Sequence, residues 1–194
     1  MPSLLALPRT YLSLLDERLD AALDQLRGRP GADRVFYSAS ELGDFSLLWL
    51  ILGAARGLRS EQDERAALRL GIGALIETTL VNGLIKSLFR RKRPPWDAPR
   101  AYRIRQPLTS SFPSGHATSA FCLAILLAED DPLAPLYYGL AVIVATSRAY
   151  VKIHHASDVL AGVGLGVGMG LLGRRLMPLS TDDAERPGPL NPEP

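Results

Sequence analysis

Apolar residues gather into five runs, 45–55, 70–85, 116–128, 133–145 and 159–173, which are nearly free of Lys, Arg and Asp. The charges collect between them. Five such runs in 194 residues predict a multi-pass transmembrane helical bundle of about five spans, all-α, rather than a soluble helical domain. Several runs are shorter than the ~20 residues of a comfortable span, so 42–58 and 66–89 reach that length only with flanking polar residues at headgroup level. Ahead of them Leu12, Leu15, Leu19, Ala22, Leu23 and Leu26 recur at helical spacing, with Asp16, Glu17, Arg18, Asp20, Asp24 and Gln25 between. That pattern is an amphipathic helix, suited to lie on a membrane, pack on the bundle or pair with a second copy. Gly28, Arg29, Pro30 and Gly31 end it. The expected organisation is an N-terminal amphipathic segment (1–36), a transmembrane domain (37–177) and a disordered tail rich in Pro and acidic residues (178–194).

Local features refine that plan. Ser40 or Asp44 is placed to cap the first apolar helix. In the helix over 66–89, Glu77, Thr78, Thr79 and Asn82 are unusual for a lipid-facing surface, so this helix is expected to face the bundle interior. Asn82 lies one turn before Lys86 and is read as its support. Glu77 falls about 180° away from Lys86 at ~100° per residue and is expected to pair elsewhere or face another subunit. Pro94, Pro95, Pro99, Pro107 and Pro113 exclude a continuous helix over 90–113. Trp96, Arg100, Tyr102, Arg103 and Arg105 give that stretch an interfacial character. Asp130, Asp131 and Pro132 separate the next two helices. The last helix begins near Asp158 and carries Gly162, Gly164, Gly166, Gly168, Gly170 and Gly173. Several of these are four apart, a small-residue seam preferred here as packing within the bundle over packing between protomers.

The averages, 47% hydrophobic and 22% charged, are ordinary for a soluble protein; the segregation carries the information. A net charge of +2 does not indicate a nucleic-acid partner, and no nucleic-acid motif is present. Cys122, the lone cysteine, cannot form an internal disulfide and reads as a small buried hydrophobe. The apolar start over 1–8 is too short for a signal peptide, which leaves insertion to the internal helices.

Three clusters carry the chemistry: Lys86 with Arg93-Pro94; Pro113-Ser114-Gly115-His116; and Ser147-Arg148 followed by His154 and Asp158. One lysine and two arginines can neutralise a dianionic phosphoryl group, while two histidines can serve as nucleophile and acid. In order and internal spacing the clusters match the three-part signature of the type 2 phosphatidic acid phosphatase superfamily, which includes bacterial polyprenyl diphosphate phosphatases and vanadium haloperoxidases. The resemblance covers 86–158, and the alternation of helices extends it to about 42–173.

The resemblance implies a metal-independent membrane lipid phosphatase with no cofactor, working through a phosphohistidine. Under it His154 is the nucleophile, and Asp158, four residues on, bonds Nδ1–H and fixes the tautomer so that Nε2 attacks phosphorus. Lys86, Arg93 and Arg148 hold the equatorial oxygens. Ser114 and Gly115, where a helix starts, offer backbone N–H groups to the anion, and His116 protonates the leaving group, then activates water. His155 misses the spacing and has no assigned role. Arg90, Arg91, Lys92, Arg100, Arg103 and Arg105 are read as a rim for anionic headgroups.

Substrates implied by the family are polyprenyl phosphates and diphosphates, phosphatidate, phosphatidylglycerophosphate and prenyl-linked sugar phosphates. By analogy, a prenyl-phosphate lipid of bacterial envelope synthesis is favoured, in the cytoplasmic membrane. A phospholipid phosphatase is the alternative, and a vanadate-dependent haloperoxidase the remote one. The resemblance places the active face outside the cytoplasm, whereas the cations of the motif side, including Lys152, place it inside; the charge count is preferred. A homo-oligomer through the Gly-rich last helix or the N-terminal helix is left open.

Overall fold

The computed structural model describes residues 7–96 and 100–179, with side chains from residue 11 onward. The chain start before residue 7, Pro99, and the tail after 179 expected to be disordered lie outside the described residues. The described chain is helical, with no strand among those residues. Its helices are α1 (Leu7–Asp24), α2 (Pro30–Leu42), α3 (Leu47–Gly57), α4 (Glu61–Thr78), α5 (Gly115–Leu127), α6 (Ala134–Tyr150) and α7 (Ala156–Leu176).

Local chemistry explains the boundaries. Pro30 starts α2, where its missing N–H costs nothing. Ser60 caps α4 by accepting from the Asp63 N–H at 3.1 Å, and Glu61, Asp63 and Glu64 complement the helix dipole in the first turn. Asp158 folds back to accept the His155 N–H at 2.9 Å, and Arg174 and Arg175 close the other end of α7. A tight turn, Asp44–Ser46, joins α2 to α3 with a 71° bend, and Phe45 and Ser46 there hold left-handed φ values of 54° and 58°. Past Thr78, α4 runs on through a π-helical turn (Thr79–Leu84) and a short 3-10 turn (Ile85–Leu88).

α5 is the central element. It is apolar on all sides and buried along most of its length, as a helix enclosed by others must be, and α4, α6 and α7 pack around it. The α7 glycines explain the closest contact. A Cβ on Gly162 would stand 2.5 Å from the Ser114 carbonyl oxygen, and one on Gly166 would stand 2.3 Å from that of Thr118. Gly170 and Gly173 meet Ile125 and Leu126 in the same way, so this row packs inside the bundle. Gly164 and Gly168 meet nothing within 4 Å.

The outer surface is oily. Leu75, Leu80, Leu84, Leu88, Leu160, Leu171 and Leu172 are exposed, which suits contact with lipid chains. The five apolar runs do not all become full-length spans. Two helical stretches, Glu61–Leu88 and Ala156–Leu176, are long and apolar enough to cross a membrane, and the bent α2–α3 pair would make three. α5 is apolar but has only 13 residues.

α1 packs on the bundle. Its buried Asp16 accepts from the Ser157 N–H at 2.7 Å and from Arg91 at 2.7 Å. Just beyond it, Arg27 donates to the Tyr150 and Ala149 carbonyls at 2.7 and 2.9 Å. Tyr11, Leu12, Leu14 and Leu15 stay exposed on the other side.

Candidate active site

The three sequence clusters meet at one end of the bundle, around a cavity of about 260 Å³ lined by residues including Lys86, Gly115, His116 and His154. Lys86 is buried and donates to Asn82 Oδ1 at 2.8 Å. A Cβ on Gly115 would lie 3.0 Å from Lys86 Nζ and 3.2 Å from Asn82 Oδ1, so the absence of a side chain there lets the ammonium sit against the start of α5.

His154 lies in the short connection between α6 and α7, its backbone N–H donating to the Arg148 carbonyl at 3.1 Å. Nδ1 is 2.6 Å from the Ser111 carbonyl oxygen, which can only accept, so Nδ1 carries the proton and Nε2 a lone pair. Arg93 Nη1 stands 3.3 Å from that Nε2. The Arg93 guanidinium is fastened by the carbonyls of Ile153 at 2.9 Å, Thr109 at 3.0 Å and Ser110 at 3.3 Å. Burial is the largest influence on the His154 ring and, joined by the nearby Arg148 and Arg93 charges, prevails over what Asp158 restores, so its pKa falls to about 3. The ring is therefore neutral at neutral pH, with its lone pair turned toward a cation.

Asp158 does not make the expected direct bond. Its Oδ2 is 3.8 Å from His154 Nδ1. His154 precedes α7, so the one-turn proximity of helical residues four apart does not apply. Asp158 is completely buried and braces the surroundings instead. Oδ2 accepts the Ser111 hydroxyl at 2.6 Å and Oδ1 accepts Arg91 at 2.6 Å. The Asp158 carbonyl oxygen accepts the Ser114 N–H at 3.0 Å. It thus orients His154 at one remove, through Ser111.

Several other expectations change. Ser114 is fully buried, with its N–H spent on Asp158 and its hydroxyl oxygen capping α5 through the Ala117 N–H at 3.4 Å; of the expected anion pair, Gly115 is the one that lines the cavity. Arg91, read as part of a lipid-facing rim, instead clamps Asp158, Ser157 and Asp16 together. Arg105 lies over the Phe45 ring at 4.8 Å and lines the cavity. Arg148 is 1% exposed; its Nη1 donates to buried Ser40 Oγ, while Nε and Nη2 have no partner. Neither Ser40 nor Asp44 caps α3, which starts at Leu47 with Ser46 in the cap position and no side-chain cap. Asp44 Oδ1 lies 2.8 Å from His116 Nε2, making it a site residue that spacing did not reveal. Gly43 permits this contact, because a Cβ there would meet the His116 ring at 2.8 Å.

Glu77 is the largest departure. It lines the same cavity as Lys86, at 1% exposure, instead of facing away. The intervening π-helical turn advances each residue by less than an α-helical one, which rotates the two side chains toward a common side. No sequence signal marked that turn. Among the described residues, no group of three or more His, Cys, Asp or Glu is placed to hold a metal ion.

Comparison with known proteins adds independent findings. The model of the PAP2 superfamily matches residues 66–182. Decaprenylphosphoryl-5-phosphoribose phosphatase of Mycobacterium tuberculosis is 35% identical over 152 residues, 78% of this chain and 84% of that protein. Phosphatidylglycerophosphatase B of Bacillus subtilis is 28% identical and covers 78% of each. Among solved structures, a transmembrane PAP2 type phosphatidylglycerolphosphate phosphatase from Bacillus subtilis superposes with a TM-score of 0.62 at 26% identity, over 91% of this chain and 88% of that one. Aquifex aeolicus LpxE gives the same score and identity over 81% and 93%.

Proposed function

The chain belongs to the PAP2 superfamily and is a membrane lipid phosphatase of that type; on this premise, we propose that it removes the terminal phosphate of a prenyl-linked sugar phosphate through a phosphohistidine on His154. The observation that carries the mechanism is the placement of the His154 ring, its Nε2 3.3 Å from Arg93 Nη1 and its Nδ1 2.6 Å from a backbone carbonyl. The choice of lipid rests on the similarity to the mycobacterial phosphatase.

In the first step Nε2 forms a bond to phosphorus as the P–O ester bond breaks, with Lys86, Arg93 and Arg148 balancing the charge on the equatorial oxygens. His116 gives its proton to the departing oxygen. Burial and the Arg148 charge disfavour the imidazolium form of that ring; Asp44 orients the ring and offsets part of that effect by charge, the phosphoryl dianion adds to the offset, and Nδ1 is left as the nitrogen for the leaving group. Water then attacks the phosphohistidine with His116 as base, inorganic phosphate leaves, and His154 is restored. The chain's own cations serve where other phosphatases use a divalent ion.

Purified protein presented with prenyl-linked pentose phosphate, prenyl phosphate, prenyl diphosphate, phosphatidate and phosphatidylglycerophosphate, with and without chelator, tests the proposal. Release is expected to be fastest from the sugar phosphate, insensitive to chelator and inhibited by vanadate. Preference for phosphatidylglycerophosphate would move the enzyme to phospholipid metabolism, the reading that the similarity to the Bacillus subtilis proteins favours.

A further inference from the structure

The mechanism above leaves one buried acid of the cavity unused. Glu77 is 1% exposed, and its Oε1 is enclosed with no hydrogen-bond partner among the described residues. Its Oε2 has only the long contact from Thr78 Oγ1 at 3.3 Å. A buried carboxyl oxygen without a donor is costly, and such a group calls for a donor from a bound molecule. The phosphoryl group is not that partner, because a carboxyl offers no cation to a dianion and an ionised one repels it. An acyl or prenyl chain has no donor to offer either.

The cavity accordingly has two chemistries. Lys86 and His154 make a side suited to phosphate, while Glu77, Thr78 and Ser119 add a carboxyl and two hydroxyls to the same wall. At about 260 Å³ it has room for several groups beyond one phosphoryl, since liquid water takes about 30 Å³ per molecule. We infer that Glu77 is the acceptor of a leaving-group subsite, which receives the hydroxyls of a polyol such as a pentose that carries the phosphate. This deepens the proposed function and rests on it. Glu77 is a specificity residue, separate from the groups that act on phosphorus.

The test compares two substrates, a prenyl-linked pentose phosphate and its analogue lacking the free ring hydroxyls, with full-length protein in lipid nanodiscs. Wild type is expected to favour the hydroxylated substrate by about tenfold in kcat/KM, the scale of one hydrogen bond to a buried acceptor in a closed site. Glu77→Leu is expected to reduce that ratio to about threefold or less while vanadate still inhibits, and Glu77→Gln, which keeps one acceptor oxygen, to give an intermediate ratio. Should the leucine variant not fold, the glutamine variant decides the matter through its ratio. Equal turnover of both substrates by wild type, or a ratio that survives both substitutions, would overturn the subsite and leave the phosphatase reading standing. No release from any lipid phosphate would overturn both.

Discussion

The two ends of the bundle treat positive charge in opposite ways. At the end made by the α3–α4 and α5–α6 connections, cations meet carboxylates. Arg56 bonds Asp63 at 2.6 Å and lies 3.2 Å from Asp131, Arg59 pairs with both acids, and Arg69 reaches Glu129 at 2.5 Å. At the end made by the α4–α5 and α6–α7 connections, Lys86, Arg93 and Arg148 are held by an amide oxygen, by backbone carbonyls and by a serine hydroxyl, and no described carboxylate forms an ion pair with them. Of the carboxylates that stand there, Asp158 is occupied by Arg91 and Asp44 lies against His116. Neutral acceptors position a cation without cancelling its charge. The first end is built as a clasp between helices, the second as a receptor for an anion.

Replacing His154 gives the sharpest contrast. His154→Ala is expected to lower phosphate release by roughly 10³-fold or more while detergent-solubilised protein keeps its elution volume; retention of most activity would end the mechanism. Arg148→Met removes a buried cation with two unpartnered nitrogens, so kcat/KM should fall by roughly 10²-fold while the melting temperature holds or rises. A clear loss of stability would mean that the motif end is a clasp as well. Asp44→Asn leaves shape intact and is expected to lower kcat about tenfold with an altered pH–rate profile, as a positioning role for His116 requires.

At the opposite end the order reverses. Arg56→Met deprives Asp63 of its 2.6 Å partner and leaves the Leu127 and Glu129 carbonyls without their guanidinium donor, and should cost about 3–5 kcal/mol in unfolding free energy, with turnover per folded molecule within about twofold of wild type. The remaining effect is on pH, and near neutrality it vanishes. Burial holds the His154 pKa down at about 3 against an ordinary value of 6.5, so between these limits the unfolded chain holds a proton that the folded one does not. Stability should decline as pH falls below about 6.5, with no contribution above it, and His154→Ala should flatten that part of the curve in thermal melts.

Much of the receptor end was legible because its residues come in short strings, where the covalent chain sets the neighbourhood. Asn82 and Lys86, one turn apart, meet as the helical period requires. The glycine row of α7 announced a close contact, and its facing partner is α5. Asp44 and Ser111 gave no such signal, since each acts on a histidine far along the chain. Arg91 sat among other arginines that looked alike in sequence, and only the fold singled it out to clasp Asp158.

By itself the amino-acid order determined the segregation of apolar runs, the all-helical class, and the short strings of cationic and histidine residues proposed to handle a phosphoryl group. Tertiary structure alone decided how His154 is held, which cations stay unneutralised, and that Glu77 turns into the cavity. The physical reason is one of range. Periodicity and spacing report contacts within a helical turn, whereas a π-helical turn, a carbonyl from another segment or a carboxylate claimed by a different arginine depends on how distant segments pack.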